Sequence, residues 1–256
     1  MRAFLSWPAA FLILFAAYQL PGWLGSSTSS PPALASAAML AFLPIAWLVA
    51  RLLGRGMGAA YALEWSRAAA GWLAIGFALA LAAKTAGLLI GLQLGVYVTE
   101  VAPPRHGALT VLASLAWGAV FTFFPSIAED IVTRGFWLRV PRWPWTSVRF
   151  VVFSAAAYVL NHIYRLSHGP SEWLMLFCFG LAYATALWRT GSLWAALGLH
   201  WGWNFANAAL DVLWPTDLVN VGSSRLISAA MHLLLWVIVA LGYAPSGKAR
   251  DHEHAR

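Results

Sequence analysis

The feature that most restricts the fold of this chain is a series of long apolar stretches. A transmembrane helix needs about 20 mostly apolar residues. Of the 256 residues, 61% are hydrophobic and only 10% are charged, whereas soluble proteins carry about 25% charged residues. The sequence therefore predicts an all-α polytopic membrane protein, a bundle of about eight transmembrane helices. The stretches lie at roughly 4–21, 33–53, 68–95, 108–131, 147–164, 171–188, 192–213 and 225–243.

The segments between these stretches are short and rich in proline and glycine. None is long enough to separate domains, so we predict that residues 1–256 form a single membrane domain. Cys178 is the only cysteine, which excludes an intrachain disulfide and a thiolate metal cluster. The net charge of +7 is spread over short loops and not gathered in a basic patch, so we expect membrane lipids and no nucleic acid around the protein.

The basic residues predict the orientation in the membrane, because cytoplasmic loops carry an excess of Lys and Arg. With the N-terminus inside, the opposite side holds only Arg105, Arg165 and Arg225, and Lys84 lies within the third apolar stretch. We therefore predict a multi-pass protein of the plasma (inner) membrane with both termini in the cytoplasm. The cytoplasmic side then holds 12 basic residues, namely Arg2, Arg51, Arg55, Arg67, Arg134, Arg139, Arg142, Arg149, Arg189, Lys248, Arg250 and Arg256.

Three charged residues, Glu129, Asp130 and Arg134, lie at the end of the fourth apolar stretch. Ionisable groups at membrane depth are costly and usually serve a function. Asp130 and Arg134 are four residues apart and can neutralise each other on a helix. This pairing leaves Glu129 without a partner and makes it a candidate for chemistry.

Two later stretches carry further polar residues at helical spacing. Tyr158 and His162 share one helix face, and positions 200, 204, 207 and 211 (His, Asn, Asn, Asp) form a polar stripe. On its own, the stripe is equally well explained by hydrogen bonds between helices. Together with Glu129 and His162, however, His200 and Asn204 supply what amide hydrolysis needs: a general base, a second group that holds the water, and donors for the oxyanion.

A metal site is an alternative use of the same side chains. Glu129, His162 and His200 are a suitable ligand set for zinc with one position left for water. The sequence has no His-Glu-x-x-His motif, in which one helix presents two ligands and a base. Both versions stay open, and we prefer the one in which Glu129 and His162 activate water without a metal.

At these residues the chain resembles the CPBP family of CAAX proteases and bacteriocin-processing enzymes (also called Abi), intramembrane endopeptidases related to type II CAAX prenyl proteases. Three ordered motifs carry the resemblance. Glu129-Asp130-Ile-Val-Thr-Arg134 matches Glu-Glu-x-x-x-Arg, Tyr158-Val-Leu-Asn-His162 matches Phe-x-x-x-His, and His200-Trp-Gly-Trp-Asn204 matches His-x-x-x-Asn. They fall within residues 108–213, which we take as the catalytic core.

The resemblance implies a role for each motif residue. Glu129 activates the water and His162 assists it; His200 and Asn204 stabilise the oxyanion; Arg134 organises the acidic pair. It also implies an eight-helix bundle with a conical cavity open to the membrane and the cytosol, and it leaves the use of zinc open. Two positions depart from the motifs, since Asp130 replaces a Glu and Tyr158 replaces a Phe; the Tyr158 hydroxyl is expected near His162, where it can select the tautomer.

The function predicted from the sequence is therefore hydrolysis of a peptide bond near the C-terminal end of a membrane-associated protein or peptide. A non-catalytic alternative is an immunity or scaffold protein that binds a peptide or partner in the same polar cavity. A proton-coupled transporter is a third class, against which stands the lack of an inverted repeat in the sequence.

Overall fold

The structure is a computed structural model that describes residues 4–26, 31–100 and 107–243. Its helices follow one another as α1 (Trp7–Ser26), α2 (Pro32–Leu52), α3 (Met57–Tyr61), α4 (Arg67–Gln93), α5 (Ala108–Asp130), α6 (Phe136–Arg139), α7 (Ser147–Asn161), α8 (Pro170–Thr190), α9 (Leu193–Leu213) and α10 (Val221–Gly242). A π-helical turn (Ile131–Gly135) joins α5 to α6, and a 3-10 helix (Ile163–His168) follows α7. Strands β1 (Tyr97–Thr99) and β2 (Thr216–Leu218) form an antiparallel ribbon with Val98 opposite Asp217.

The all-α membrane fold predicted from the sequence is confirmed, and a long helix occupies each of the predicted apolar stretches. In the described part of the chain, six helices are long and apolar enough to cross a membrane. The two long helices outside this set are α7 and α9. Helix α7 has only 15 residues, which gives it a length of about 22 Å. Helix α9 carries the polar stripe, which lowers its hydropathy.

Helices α4 and α9 pack so closely that their backbones touch, and glycines make this possible. A Cβ added to Gly198 would lie 2.5 Å from the carbonyl oxygen of Leu73, and one added to Gly202 would lie 2.6 Å from that of Phe77. Helix α8 approaches α7 in the same way, because a Cβ on Gly180 would lie 2.5 Å from the Cα of Ala155. Small residues that allow close backbone contact are typical of helix packing in membranes.

The bundle has two ends that differ in charge. At one end, which we call the arginine end, Arg139 donates to the carbonyl of Gly191 over 3.0 Å and Arg189 donates to that of Tyr243 over 2.8 Å. The other end, which we call the ribbon end, contains the β1–β2 ribbon, the 3-10 helix and the first turns of α8 and α10.

Arg134 does not belong among the 12 basic residues assigned to the cytoplasmic side. Arg134 is 0% exposed and lies inside the bundle, not in a loop, because its charge is taken up by Asp130 on the same helix. Arg2, Arg105, Lys248, Arg250 and Arg256 lie outside the described residues. The predicted orientation itself stays a prediction.

Candidate active site

The acidic pair lies where α5 changes from α-helical to π-helical geometry. The π turn begins directly after Asp130 and the chain continues into α6 as one helical run from Ala108 to Arg139. Thr133 donates from its hydroxyl to the carbonyl of Glu129 over 2.7 Å, which satisfies an acceptor inside the turn. Single π turns within α-helices occur frequently at functional sites. Here the turn coincides with the candidate residues.

The carboxylate of Glu129 lies between two histidines. Its Oε1 is 3.4 Å from Nδ1 of His162, and its Oε2 is 3.5 Å from Nε2 of His200. The Asn161 side-chain amide donates to Oε1 over 3.1 Å. Glu129 is only 4% exposed, so these contacts take place away from bulk solvent. The structure thus brings together Glu129 of α5, His162 directly after α7 and His200 of α9, and the two histidines lie 33 and 71 positions from Glu129 in the sequence.

Asp130 has a different set of partners from its neighbour. Its Oδ1 forms an ion pair with Arg134 and lies 2.9 Å from Nδ1 of His200. The Arg134 guanidinium is covered by two aromatic rings, those of Tyr158 at 5.1 Å and Tyr183 at 5.2 Å. Cation–π contacts of this kind favour a buried cation. Asp130 therefore links the buried arginine to the His200 ring.

His162 and Tyr158 are arranged differently from the expectation. The Tyr158 hydroxyl lies 3.4 Å from Nε2 of His200, and it is the Tyr158 backbone carbonyl that lies 2.8 Å from Nδ1 of His162. The expectation that the hydroxyl selects the His162 tautomer is therefore wrong. The reason is local: α7 ends at Asn161, so the His162 ring turns back onto the free carbonyl one turn earlier.

Asn204 lines the same polar cavity as Glu129 and is anchored by a hydroxyl group. Its side-chain amide donates to the Ser126 hydroxyl over 3.0 Å, and Ser126 in turn donates to the carbonyl of Thr122 over 2.7 Å. One amide hydrogen of Asn204 is thus committed to a contact within the protein. Of the remaining stripe positions, Asn207 lines the polar cavity that contains Glu129, and Asp211 is exposed.

Three residues with direct bearing on the site were not identified from the sequence. Asn161 binds Glu129, Tyr18 of α1 interacts electrostatically with the Glu129 carboxylate, and Glu172 lies in the same cavity. Asn161 adjoins a motif histidine in the sequence. Glu172 is an acidic residue in an apolar stretch, which is the kind of signal that identified Glu129. Tyr18 lies more than 100 positions away from Glu129 in an otherwise ordinary apolar helix and carries no such signal.

These side chains line a cavity of about 440 Å³. Its inner part is polar and holds Glu129, Tyr158, His162, His200 and Asn204, while residues of the ribbon end form its outer part. Among the residues that the structure describes, no group of three or more His, Cys, Asp and Glu side chains has an arrangement that fits a metal ion. Glu129, His162 and His200 are adjacent without forming such a group, so we derive no step through a metal.

The comparison with known families agrees with this geometry. Residues 110–206 match the family model described as Type II CAAX prenyl endopeptidase Rce1-like. The matched segment contains all three motifs and lies inside the predicted catalytic core of 108–213. Comparisons with curated proteins and with solved structures gave no match. The matched segment is thus similar to type II CAAX prenyl endopeptidases, the family to which the three motifs are related.

Proposed function

We propose that the protein is an intramembrane endopeptidase that hydrolyses a peptide bond near the C-terminal end of a membrane-associated protein or peptide. The observation that carries the proposal is the buried Glu129 carboxylate, held between His162 and His200 at the inner end of a polar cavity. The family match supports the same class of reaction. The residue roles and the substrate class are our inference.

In this mechanism Glu129 is the general base. A water placed against its carboxylate loses a proton to Glu129 and attacks the scissile carbonyl carbon, and the same proton then passes to the leaving amine nitrogen. Asn161 fixes the carboxylate through Oε1. An anchored base loses little conformational entropy when the reacting groups align, and this lowers the activation free energy.

His162 is suited to hold the attacking water. Because the Tyr158 carbonyl can only accept a hydrogen bond, its 2.8 Å contact assigns the ring hydrogen of a neutral His162 to Nδ1. Nε2 is then an acceptor that can bind a water hydrogen. The side chain is 13% exposed, so water can reach it from the cavity.

His200 and Asn204 are proposed as oxyanion donors. Nδ1 of His200 is bound to Asp130, so its other nitrogen, Nε2, faces the reacting groups. Nε2 can donate to the oxyanion only when the ring carries both protons; in the neutral ring the hydrogen lies on Nδ1 and Nε2 is an acceptor. Asn204 adds its second amide hydrogen. Donors fixed in advance inside a buried site are the strongest contribution to many hydrolytic reactions.

Substitution of the proposed base tests this function. Glu129→Gln keeps the shape and the Asn161 contact but removes the basic carboxylate, so we expect cleavage to fall at least about 100-fold. His162→Ala is expected to lower cleavage as well. The measurement is release of a C-terminal peptide from a membrane-bound reporter substrate, with Glu64→Gln on the exposed surface as the control.

The outcomes separate the competing functions. Full cleavage by both Glu129→Gln and His162→Ala would refute the protease mechanism. Absence of cleavage by the unchanged protein, together with protection of a partner that both variants retain, would point to the immunity or scaffold function. Proton-coupled flux in proteoliposomes would point to a transporter. Loss of activity on chelation, restored by zinc alone, would contradict the metal-free version.

A further inference from the structure

The candidate cavity has its mouth at the ribbon end of the bundle. Arg165 and His168 of the 3-10 helix and Val221 at the start of α10 line it and are exposed. Tyr97 of β1 lies on the same rim. These residues belong to the segments that join helices at this end or to the first turn of α10, so the mouth of the cavity lies among them.

Towards the arginine end, the same cavity is closed. The residues directly beyond Glu129 and His200 in that direction include Ile131, Phe136 and Leu197, each 0% exposed. Glu129 precedes Arg139 by ten positions, which corresponds to about 15 Å along a helix, or about half the hydrocarbon thickness of a bilayer. The site therefore lies near mid-depth and is shielded from the arginine end by packed side chains.

Basic residues divide unequally between the two ends. Among the described residues, the ribbon end holds Arg165 and Arg225, and both form ion pairs with Glu172, while Lys84 of α4 lines the cavity itself. The other end is crowded with positive charge, and burial together with repulsion from Arg142 and Arg139 lowers the pKa of Arg55. Its described basic residues are Arg51, Arg55, Arg67, Arg139, Arg142, Arg149 and Arg189.

We propose that the cavity opens to the extracytoplasmic side of the membrane and takes exported, membrane-anchored polypeptides as substrates. Loops rich in Lys and Arg are retained in the cytoplasm, which assigns the arginine end to the cytoplasm and the cavity mouth to the opposite side. The cytosolic opening implied by the family resemblance does not fit this combination of charge and geometry. The substrate class rests on the proposed peptidase function, whereas the sidedness does not.

Cysteine labelling tests the sidedness without any assay of activity. The buried Cys178 is first replaced by alanine, and a single cysteine is then introduced at one of two exposed glycines. Gly222→Cys marks the ribbon end, where a new Cβ meets only Asn220 at 3.5 Å, and Gly56→Cys marks the arginine end, where it meets no atom within 4 Å. The probe is a membrane-impermeant maleimide applied to intact cells or spheroplasts and then to permeabilised ones.

We expect Gly222→Cys to be labelled in intact cells and Gly56→Cys only after permeabilisation. The reverse pattern, labelling of both positions in intact cells, or labelling of both only after permeabilisation would each overturn the proposed sidedness. A thermal unfolding temperature of the Cys178→Ala parent close to that of the unchanged protein shows that the labelled protein is correctly folded. If labelling is as expected but Glu129→Gln cleaves normally, the sidedness stands and the peptidase function fails.

Discussion

At the scale of single residues, the two adjacent carboxylates have different surroundings. Glu129 contacts two histidine rings and an amide, whereas Asp130 compensates a fully buried arginine and orients His200. Removal of one partner from a buried ion pair leaves an uncompensated charge in a medium of low dielectric constant. Asp130 therefore contributes to stability in a way that Glu129 does not.

Neutral isosteres at the two positions should separate these contributions. We expect Asp130→Asn to destabilise the protein by about 3–5 kcal/mol, because Arg134 loses its counter-charge, and also to reduce cleavage through His200. Glu129→Gln should lower cleavage at least about 100-fold with an unfolding temperature near that of the unchanged protein. The measurement is thermal unfolding in detergent for both variants; equal stability would contradict the assignment of Asp130 as the structural partner.

At the scale of secondary-structure elements, glycine contacts fix the position of His200. Gly198 and Gly202 on α9 flank this histidine and lie against the backbone of α4. A larger residue on that side has to move α9 as a whole, since the neighbouring atoms belong to the backbone. The distance between His200 and Glu129 thus depends on the α4–α9 contact.

Substitution at this contact should therefore affect both stability and cleavage. In Gly198→Ala the new Cβ would lie 2.5 Å from the carbonyl oxygen of Leu73, and overpacking of this kind costs about 1–3 kcal/mol. Gly71→Ala on the exposed face of α4 meets no atom within 4 Å and is the matched control. Thermal unfolding and the reporter assay are measured on both; an unaffected Gly198→Ala would show that α9 can shift without loss.

The helices could largely be predicted from the sequence, and their interruptions could not. Apolar length determines where a membrane helix forms, because the backbone must be hydrogen-bonded internally in lipid. The π turn after Asp130 and the 3-10 helix after His162 depend on contacts with other helices, such as the close approach of Gly135 to the carbonyl of Tyr61. No local pattern encodes these contacts.

At the scale of the whole molecule, Glu172 connects three segments around the cavity mouth. It is 1% exposed and forms ion pairs with Arg165 of the 3-10 helix and with Arg225 of α10. The 3-10 helix begins directly after His162. A single buried carboxylate thereby ties the mouth of the cavity to the segment that carries the proposed water-holding residue.

Loss of this carboxylate should loosen the ribbon end of the bundle. We expect Glu172→Ala to lower stability by about 1.5–3 kcal/mol, because charge-assisted hydrogen bonds are lost while Arg165 and Arg225 remain accessible to solvent, and to weaken cleavage through displacement of His162. Glu64→Ala, an exposed carboxylate at the other end, is expected to stay within about 0.5 kcal/mol. Thermal unfolding of the two variants is the measurement, and comparable stability would exclude a connecting role for Glu172.

The sequence by itself determined the membrane-spanning helices, the three motifs and the set of candidate residues, because apolar length and helical spacing are local properties. The tertiary structure decided which atoms meet: that Asn161 holds Glu129, that Asp130 serves His200 as well as Arg134, and that the Tyr158 hydroxyl faces His200. It also decided that the cavity opens at the ribbon end. These features arise from packing between helices that are distant in the chain. The spacing of residues along one helix indicates only which of them share a face, so it does not predict contacts between helices.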